Sequence, residues 1–258
     1  MSNYYPFEPY WVLKNRRMKL ADKNMKKHEP TKGPSVIVTE KPVKKERVRG
    51  VTVKPFGLPE QFDVPEPLMK HEQWRFKTRE FRYELRREHT KTQGWYILTE
   101  EVAVMLADFL KGKKTLEVAS GTGYLAHHMR QLGVEDYTAV DLYINYWEVG
   151  SPNYGSIVGD AFDHLNTDYD VVVMGWPPYA DPFGKKVVKE MRAGQTLILQ
   201  GESWGGCTGT DQMFDLLGTH FTIDEELTEK LNDKHIQFEG IHDWWTVYHH
   251  KGPKVDRK

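Results

Sequence analysis

Thr115-Leu116-Glu117-Val118-Ala119-Ser120-Gly121-Thr122-Gly123-Tyr124-Leu125-Ala126 decides the fold. It reads as a short strand, a turn with two glycines and the first turn of a helix. Glycine at such a junction tolerates positive φ, and its missing Cβ lets a ligand press against the backbone. The helix that follows, over 124–132, directs unpaired N–H groups at whatever lies above the turn. Beyond it, Tyr137-Thr138-Ala139-Val140-Asp141 reads as a second strand ending in a carboxylate. A glycine loop below and an acid on the ribose hydroxyls is how open α/β sheets hold a nucleoside. A Gly-x-Gly alone is also an ordinary turn before a helix; the strand, helix and acid around it favour the nucleoside site.

Strands and helices alternate outward from this stretch, which predicts a mostly parallel sheet covered on both faces. Strands are expected at 115–119, 136–141, 155–158, 169–174 and 195–200, with helices at 124–132, 184–192 and about 210–218. Two late strands near 234–240 and 244–250, separated by Gly240, suggest an antiparallel pair closing the sheet. The crossover over 142–154 is short, aromatic and expected to be irregular. Ahead of the sheet, Thr99 is an N-cap with Glu100 and Glu101 behind it, and a helix runs to about Leu110. Before that, 71–92 reads as one charged helix with Trp74, Thr78, Phe81 and Leu85 on a single face. Its other faces mix arginines with glutamates, which fits a phosphate grip or simply a solvated surface.

The chain has 258 residues and a net charge of −1 that hides an asymmetry. Residues 1–60 hold 14 Lys/Arg against 6 Asp/Glu, a net of +8, while residues 61–258 hold 22 against 31, a net of −9. The first 70 residues are an extended, basic arm rich in proline and lysine, with too little apolar material for a core of its own. Within it, 11–27 has helical character and 35–39 strand character. The arm reads as a flexible tail, as a tether for DNA or RNA, or, through Tyr4, Tyr5, Phe7, Tyr10 and Trp11, as an anchor in a protein assembly. Cys207 is the only cysteine, so an intramolecular disulfide and a cysteine-based zinc site are excluded and a reducing compartment is expected. With no apolar run of about 20 residues and no signal-like start, the expectation is a cytoplasmic protein without membrane contact. No metal site is expected.

Chemistry concentrates at the strand ends. Val158-Gly159-Asp160-Ala161-Phe162 places an acid where it can accept from an exocyclic amine, or simply cap a short helix. Asp170-Val171-Val172-Val173-Met174-Gly175-Trp176-Pro177-Pro178-Tyr179 is the most specific run. Two prolines stop the ladder and fix the backbone at the edge where such sheets bind ligands. Trp176 and Tyr179 add flat faces for stacking. Glu202, in the glycine-rich stretch after the fifth strand, is a candidate contact or base. Cys207 with His242, and the His242-Asp243 pair, are weaker candidates, for which a structural role is the simpler reading.

The run from Glu117 to Gly123, then Asp141, Asp160 and Pro177-Pro178-Tyr179, resembles the class I S-adenosylmethionine-dependent methyltransferases, in that family's order. The resemblance spans residues 93–250 and implies a Rossmann-like α/β fold with one antiparallel strand. It further implies that Glu117 and the loop from Ala119 through Gly121 and Gly123 to Tyr124 contact the methionine part of the cofactor. Asp141 would bind the ribose, and Asp160 with Ala161 the adenine. The Gln93-to-Thr99 stretch and the Pro-Pro-Tyr run are similar to those of amino-methylating nucleic-acid methyltransferases, so Trp176, Pro177, Pro178 and Tyr179 would line the catalytic crevice. One departure stands out: those enzymes carry Asp, Asn or Ser before Pro-Pro, whereas the Trp176 indole only donates. A catalytically inactive, methyltransferase-like subunit of a larger assembly is therefore a second reading. The Gly121-x-Gly123-x-x-Ala126 spacing leaves an NAD-dependent oxidoreductase as a third.

Overall fold

The structure is a computed structural model that describes residues 65, 67–142, 152–165, 168–238 and 240–252. The expected helix at 11–27, the strand at 35–39, most of the 142–154 crossover and residues 253–258 lie outside the described residues.

Seven strands form one sheet among these residues: β1 (Thr115–Val118), β2 (Tyr137–Asp141), β3 (Ile157–Val158), β4 (Val171–Gly175), β5 (Thr196–Glu202), β6 (Phe221–Ile223) and β7 (Asp243–His250). Their order is β3-β2-β1-β4-β5-β7-β6. All neighbours pair in parallel except β7, which runs antiparallel to both β5 and β6. This is the Rossmann-like methyltransferase arrangement, mostly parallel with one antiparallel strand.

β1 and β4 are buried almost throughout because helices cover both of their faces. One face packs Ala139, Val173, Ile198 and Trp245 under helices α3 (Glu100–Leu110) and α4 (Tyr124–Gln131), with Leu106, Leu125 and Met129 from above. The other packs Leu116, Val172, Met174 and Leu197 against α6 (Phe183–Glu190) and α7 (Asp211–His220) through Val187, Met213 and Leu217. α3 starts where expected, with the Thr99 hydroxyl accepting from Val102 N at 3.2 Å.

Two expected elements differ. The 71–92 helix is broken into α1 (His71–Arg75) and α2 (Arg79–Thr92). Thr78 is not a mid-helix residue: its hydroxyl accepts from Phe81 N at 3.2 Å and starts α2, so the supposed single face divides. Trp74 is buried while Phe81 points outward. The strand expected at 234–240 is also absent. Asp224 caps a helix, α8 (Glu225–Lys234), by accepting from Leu227 N at 3.0 Å, and the partner of β7 on that side is the three-residue β6. α5 (Ala161–His164) completes the elements between β3 and β4. No helix of the described residues is long and apolar enough to cross a membrane.

Candidate active site

The sheet order reverses between β1 and β4, which is where open α/β sheets leave a crevice at their carboxyl ends. Glu117 pairs with Val173 and Val118 with Met174, so the glycine loop and the Trp176-Pro177-Pro178 turn leave the sheet side by side. Among the described residues three non-glycine residues have positive φ, and all follow these two strands: Ala119 (52°), Trp176 (45°) and Ala180 (57°). Such backbone costs on the order of 1–3 kcal/mol each and is concentrated here at one edge.

On the β1 side the two glycines differ. Gly121 has φ 55°, and a Cβ built on it meets nothing within 4 Å. Its N–H donates to Asp141 Oδ2 at 2.8 Å, tying the loop to the end of β2. Gly123 has φ 81° and caps α4, but a Cβ there would lie 2.8 Å from Ser156 N. That close approach is locked by a 2.6 Å contact between the Ser120 and Ser156 hydroxyls and by Tyr154 N donating to Thr122 O at 2.7 Å. Gly121 thus faces open space and Gly123 faces backbone. Gly159 N donates to Asp141 O at 3.0 Å, which brings the ends of β2 and β3 together. Asp160 caps α5, its Oδ1 accepting from Phe162 N at 2.9 Å, and Ala161 behind it is buried. Phe162 meets Phe183 edge-on at 5.9 Å.

The Gln93-to-Thr99 segment lies across both sides. Thr122 Oγ1 donates to Gln93 O, and Tyr154 Oη donates to Gln93 Oε1 at 2.7 Å. His89 Nε2 meets Tyr96 O at 2.6 Å, and the buried Tyr124 ring lies edge-on to His89 at 4.9 Å and to His128 at 4.7 Å. Burial lowers both histidines to about 4, so they are neutral at physiological pH. Tyr96 itself fills the space over Gly175, where a Cβ would lie 2.3 Å from its ring. It also stacks on Trp245 at 5.7 Å and 14°.

Glu117 lies beneath, fully buried, accepting from Tyr137 Oη at 3.0 Å and interacting with the Tyr96 hydroxyl. Burial pushes its carboxyl up to about 8, against the opposing pull of the Tyr137 hydrogen bond and the Arg130 charge. It is therefore mostly protonated at neutral pH. Tyr96 carried no chemistry in the sequence reading; the glycine at 175, forced by the ring above it, is the signal that points to it.

On the β4 side the polar groups are largely engaged. Trp176 N donates to Gln200 O at 2.7 Å, and the Trp176 ring packs 5.6 Å from Trp95. The Trp176 indole N–H is buried without a hydrogen-bond partner. Pro177 O accepts from Gly209 N at 2.8 Å, and Gly209 O accepts from Ala180 N at 3.0 Å, so the glycine-rich loop is stitched onto the Pro-Pro turn. Pro178 and Tyr179 are exposed, Tyr179 at 69%. Glu202 is not placed as a base: its Oε2 accepts from Cys207 N at 2.6 Å and its Oε1 from His242 N at 3.2 Å. Asp243 accepts from Gln200 Nε2 at 2.6 Å and lies 3.1 Å from His235 Nε2, so its side chain is bound to His235 and Gln200. Cys207 is an exposed free thiol.

A shallow cleft of about 460 Å³ opens at the opposite, amino-terminal edge of the sheet, between Lys113, Lys114, Glu135, Asp136 and Asp170. It contains neither the glycine loop nor the prolines. No group of residues among those described is arranged to hold a metal ion.

No protein-family model and no curated protein matches the chain. Among solved structures, the chain is similar to a TehB-like SAM-dependent methyltransferase from Corynebacterium glutamicum, at 16% identity and a TM-score of 0.40, over 66% of this chain and 97% of that one. It is also similar to magnesium protoporphyrin IX methyltransferase from Synechocystis, at 15% identity and a TM-score of 0.38, over 69% and 89%. At such identities the fold assignment stands on the strand order itself.

Proposed function

We propose that the chain is an S-adenosylmethionine-dependent methyltransferase whose acceptor is a nucleic acid. The observation that carries this reading is Gly121: its N–H is bonded to Asp141 while its Cα faces empty space, a cradle that any side chain would fill. Asp141 and Asp160, joined through Gly159, would hold the ribose and the adenine, and the Ala119-to-Gly123 backbone the methionine part. When bound, the cofactor supplies an electrophilic methyl group for in-line transfer, a reaction that depends mainly on positioning. Tyr96, stacked on Trp245, packs against Gly175 and fixes the backbone there, and the neutral Glu117 keeps a fixed negative charge out of the loop's foundation. The Pro-Pro turn fixes the acceptor side, with Tyr179 outward to stack a planar group. The antiparallel β7 disfavours the oxidoreductase reading, since the dinucleotide-binding order is an open parallel sheet.

The inactive-subunit reading draws on Trp176, whose indole takes the position of an acceptor side chain, and on Pro177 O, already bonded to Gly209. Titration with S-adenosylhomocysteine, followed by transfer of a labelled methyl group to RNA and DNA, separates the readings. Binding with transfer supports the proposal, binding without transfer supports the inactive subunit, and tighter binding of NAD than of S-adenosylhomocysteine removes both.

A further inference from the structure

The exposed large aromatic side chains of the described residues are not scattered. Phe76, Phe81 and Tyr83 lie on the α1–α2 pair, and Trp95 and Tyr179 lie at the crevice mouth. Phe76 is 87% and Tyr83 65% exposed, unusual for side chains of this size. The same segment is cationic. Residues 71–92 hold 7 Lys/Arg against 4 Asp/Glu, a net of +3, while 93–258 hold 14 against 25, a net of −11. Lys77 Nζ sits 4.7 Å over the Phe81 ring, so charge and aromatic face are interleaved.

The pair is also firmly seated. Trp74 packs edge-on against Phe238 at 5.5 Å, and His71 N donates to Glu101 Oε2 at 2.9 Å. At the other end His89 joins α2 to Tyr96 and Tyr124, beside the glycine loop. Exposed rings and cations therefore sit on a helix pair that is anchored at both ends and finishes beside the candidate crevice.

We infer that α1 and α2 form a docking face for single-stranded RNA, with Phe76 and Tyr83 stacking bases and Lys77, Arg79 and Arg82 meeting phosphates. This rests on the proposed methyltransferase reading and names the acceptor strand's path to that site. Charge selects the occupant. A polyanion complements a +3 segment, whereas the chain's own arm, at +8 over residues 1–60, does not. Stacking selects the form, because only a single strand offers base faces, and RNA is chiefly recognised through such unstacked bases.

The test is fluorescence anisotropy of the full chain with labelled oligouridylate, oligothymidylate and an RNA duplex across a salt series. The Phe76→Ala/Tyr83→Ala variant should weaken oligouridylate binding about tenfold or more while leaving the salt slope unchanged. Lys77→Gln/Arg79→Gln should instead reduce the slope by roughly one to two. Both variants change exposed side chains, so thermal unfolding and S-adenosylhomocysteine affinity should match the unmodified chain; that affinity reports on the cofactor reading separately. Unchanged oligouridylate affinity in the aromatic variant overturns the docking face. Equal or tighter binding of the duplex, or a preference for oligothymidylate, overturns the single-stranded RNA assignment.

Discussion

The two sides of the crevice are built on adjacent strands and use their backbones in opposite ways. After β1 and β2 the chain holds a turn open: Gly121 faces space, and one N–H of the loop is braced by a carboxylate. After β4 and β5 the chain is closed on itself: Pro177 O, Gln200 O and both Glu202 oxygens accept backbone N–H groups. Open turns with positive φ suit a ligand that is gripped through backbone. A stitched turn suits a surface that is presented rather than entered. The asymmetry separates cofactor chemistry, which the β1 side is shaped for, from acceptor chemistry, for which only exposed faces such as Tyr179 remain.

The sharpest way to break this comparison lies within the glycine loop. Gly123→Ala forces a Cβ to 2.8 Å from Ser156 N at φ 81°, against backbone that cannot swing aside. Overpacking and left-handed strain together should cost about 3 kcal/mol or more in urea unfolding. Gly121→Ala carries only the strain, about 1–2 kcal/mol, because its Cβ meets nothing. Yet Gly121→Ala should lose at least tenfold in S-adenosylhomocysteine affinity, roughly 1.4 kcal/mol. Equal stability losses would mean that Gly121 is packed like Gly123 and is no cradle.

That difference was not legible in the sequence, where Gly121 and Gly123 are two members of one motif. What was legible follows from local periodicity and chemistry. The glycine turn before a helix located β1 and apolar runs located β4 and β5; the Thr99 cap located α3; the strand-end acids Asp141 and Asp160 fell at one edge. What was hidden depends on residues far apart in sequence. The contact that makes Gly123 necessary comes from Ser156, and the one that makes Gly175 necessary comes from Tyr96. Glu202 looked like a base because its partners, Cys207 N and His242 N, are backbone groups that a sequence does not display. β6 has three residues, too few for a period, and α8 was missed although Asp224, Glu225 and Glu226 spell a helix start.

Glu117 gives the next test, since it underlies the open side. Its folded carboxyl titrates at about 8 against an ordinary 4.5, so the folded chain holds a proton that the unfolded chain releases. Its contribution is complete below about pH 4.5 and lost as pH rises to about 8. His89 and His128, lowered to about 4 from 6.5, act in the opposite sense: stability is lost as pH falls through that window. The opposed effects put the stability maximum between the two limbs, with a fall on the order of 2 kcal/mol as pH rises through about 8. Glu117→Gln keeps the neutral shape and should flatten the alkaline limb while leaving the acid limb in place. An alkaline limb that survives in Glu117→Gln would mean that Glu117 is ionised in the folded chain.

The smallest effect concerns the closed side and separates a staple from a base. Glu202 accepts from Cys207 N and His242 N through different oxygens, linking the β5 loop to the segment before β7. Glu202→Gln keeps one acceptor and turns an NH2 toward the other N–H, so one bond is lost and one is made neutral. The expected loss is about 1 kcal/mol of stability, seen as a lower urea midpoint at unchanged slope. Amide exchange should accelerate strongly at whichever of Cys207 and His242 faces the new NH2, and only slightly at the other. S-adenosylhomocysteine affinity should stay the same, since the loop lies on the far side of β4 from Gly121. A base predicts the reverse pattern, in which stability and exchange are unchanged and methyl transfer is abolished. That pattern would mean the β4 side releases Glu202 during turnover, and the contrast between an open and a closed half would hold only for the resting chain.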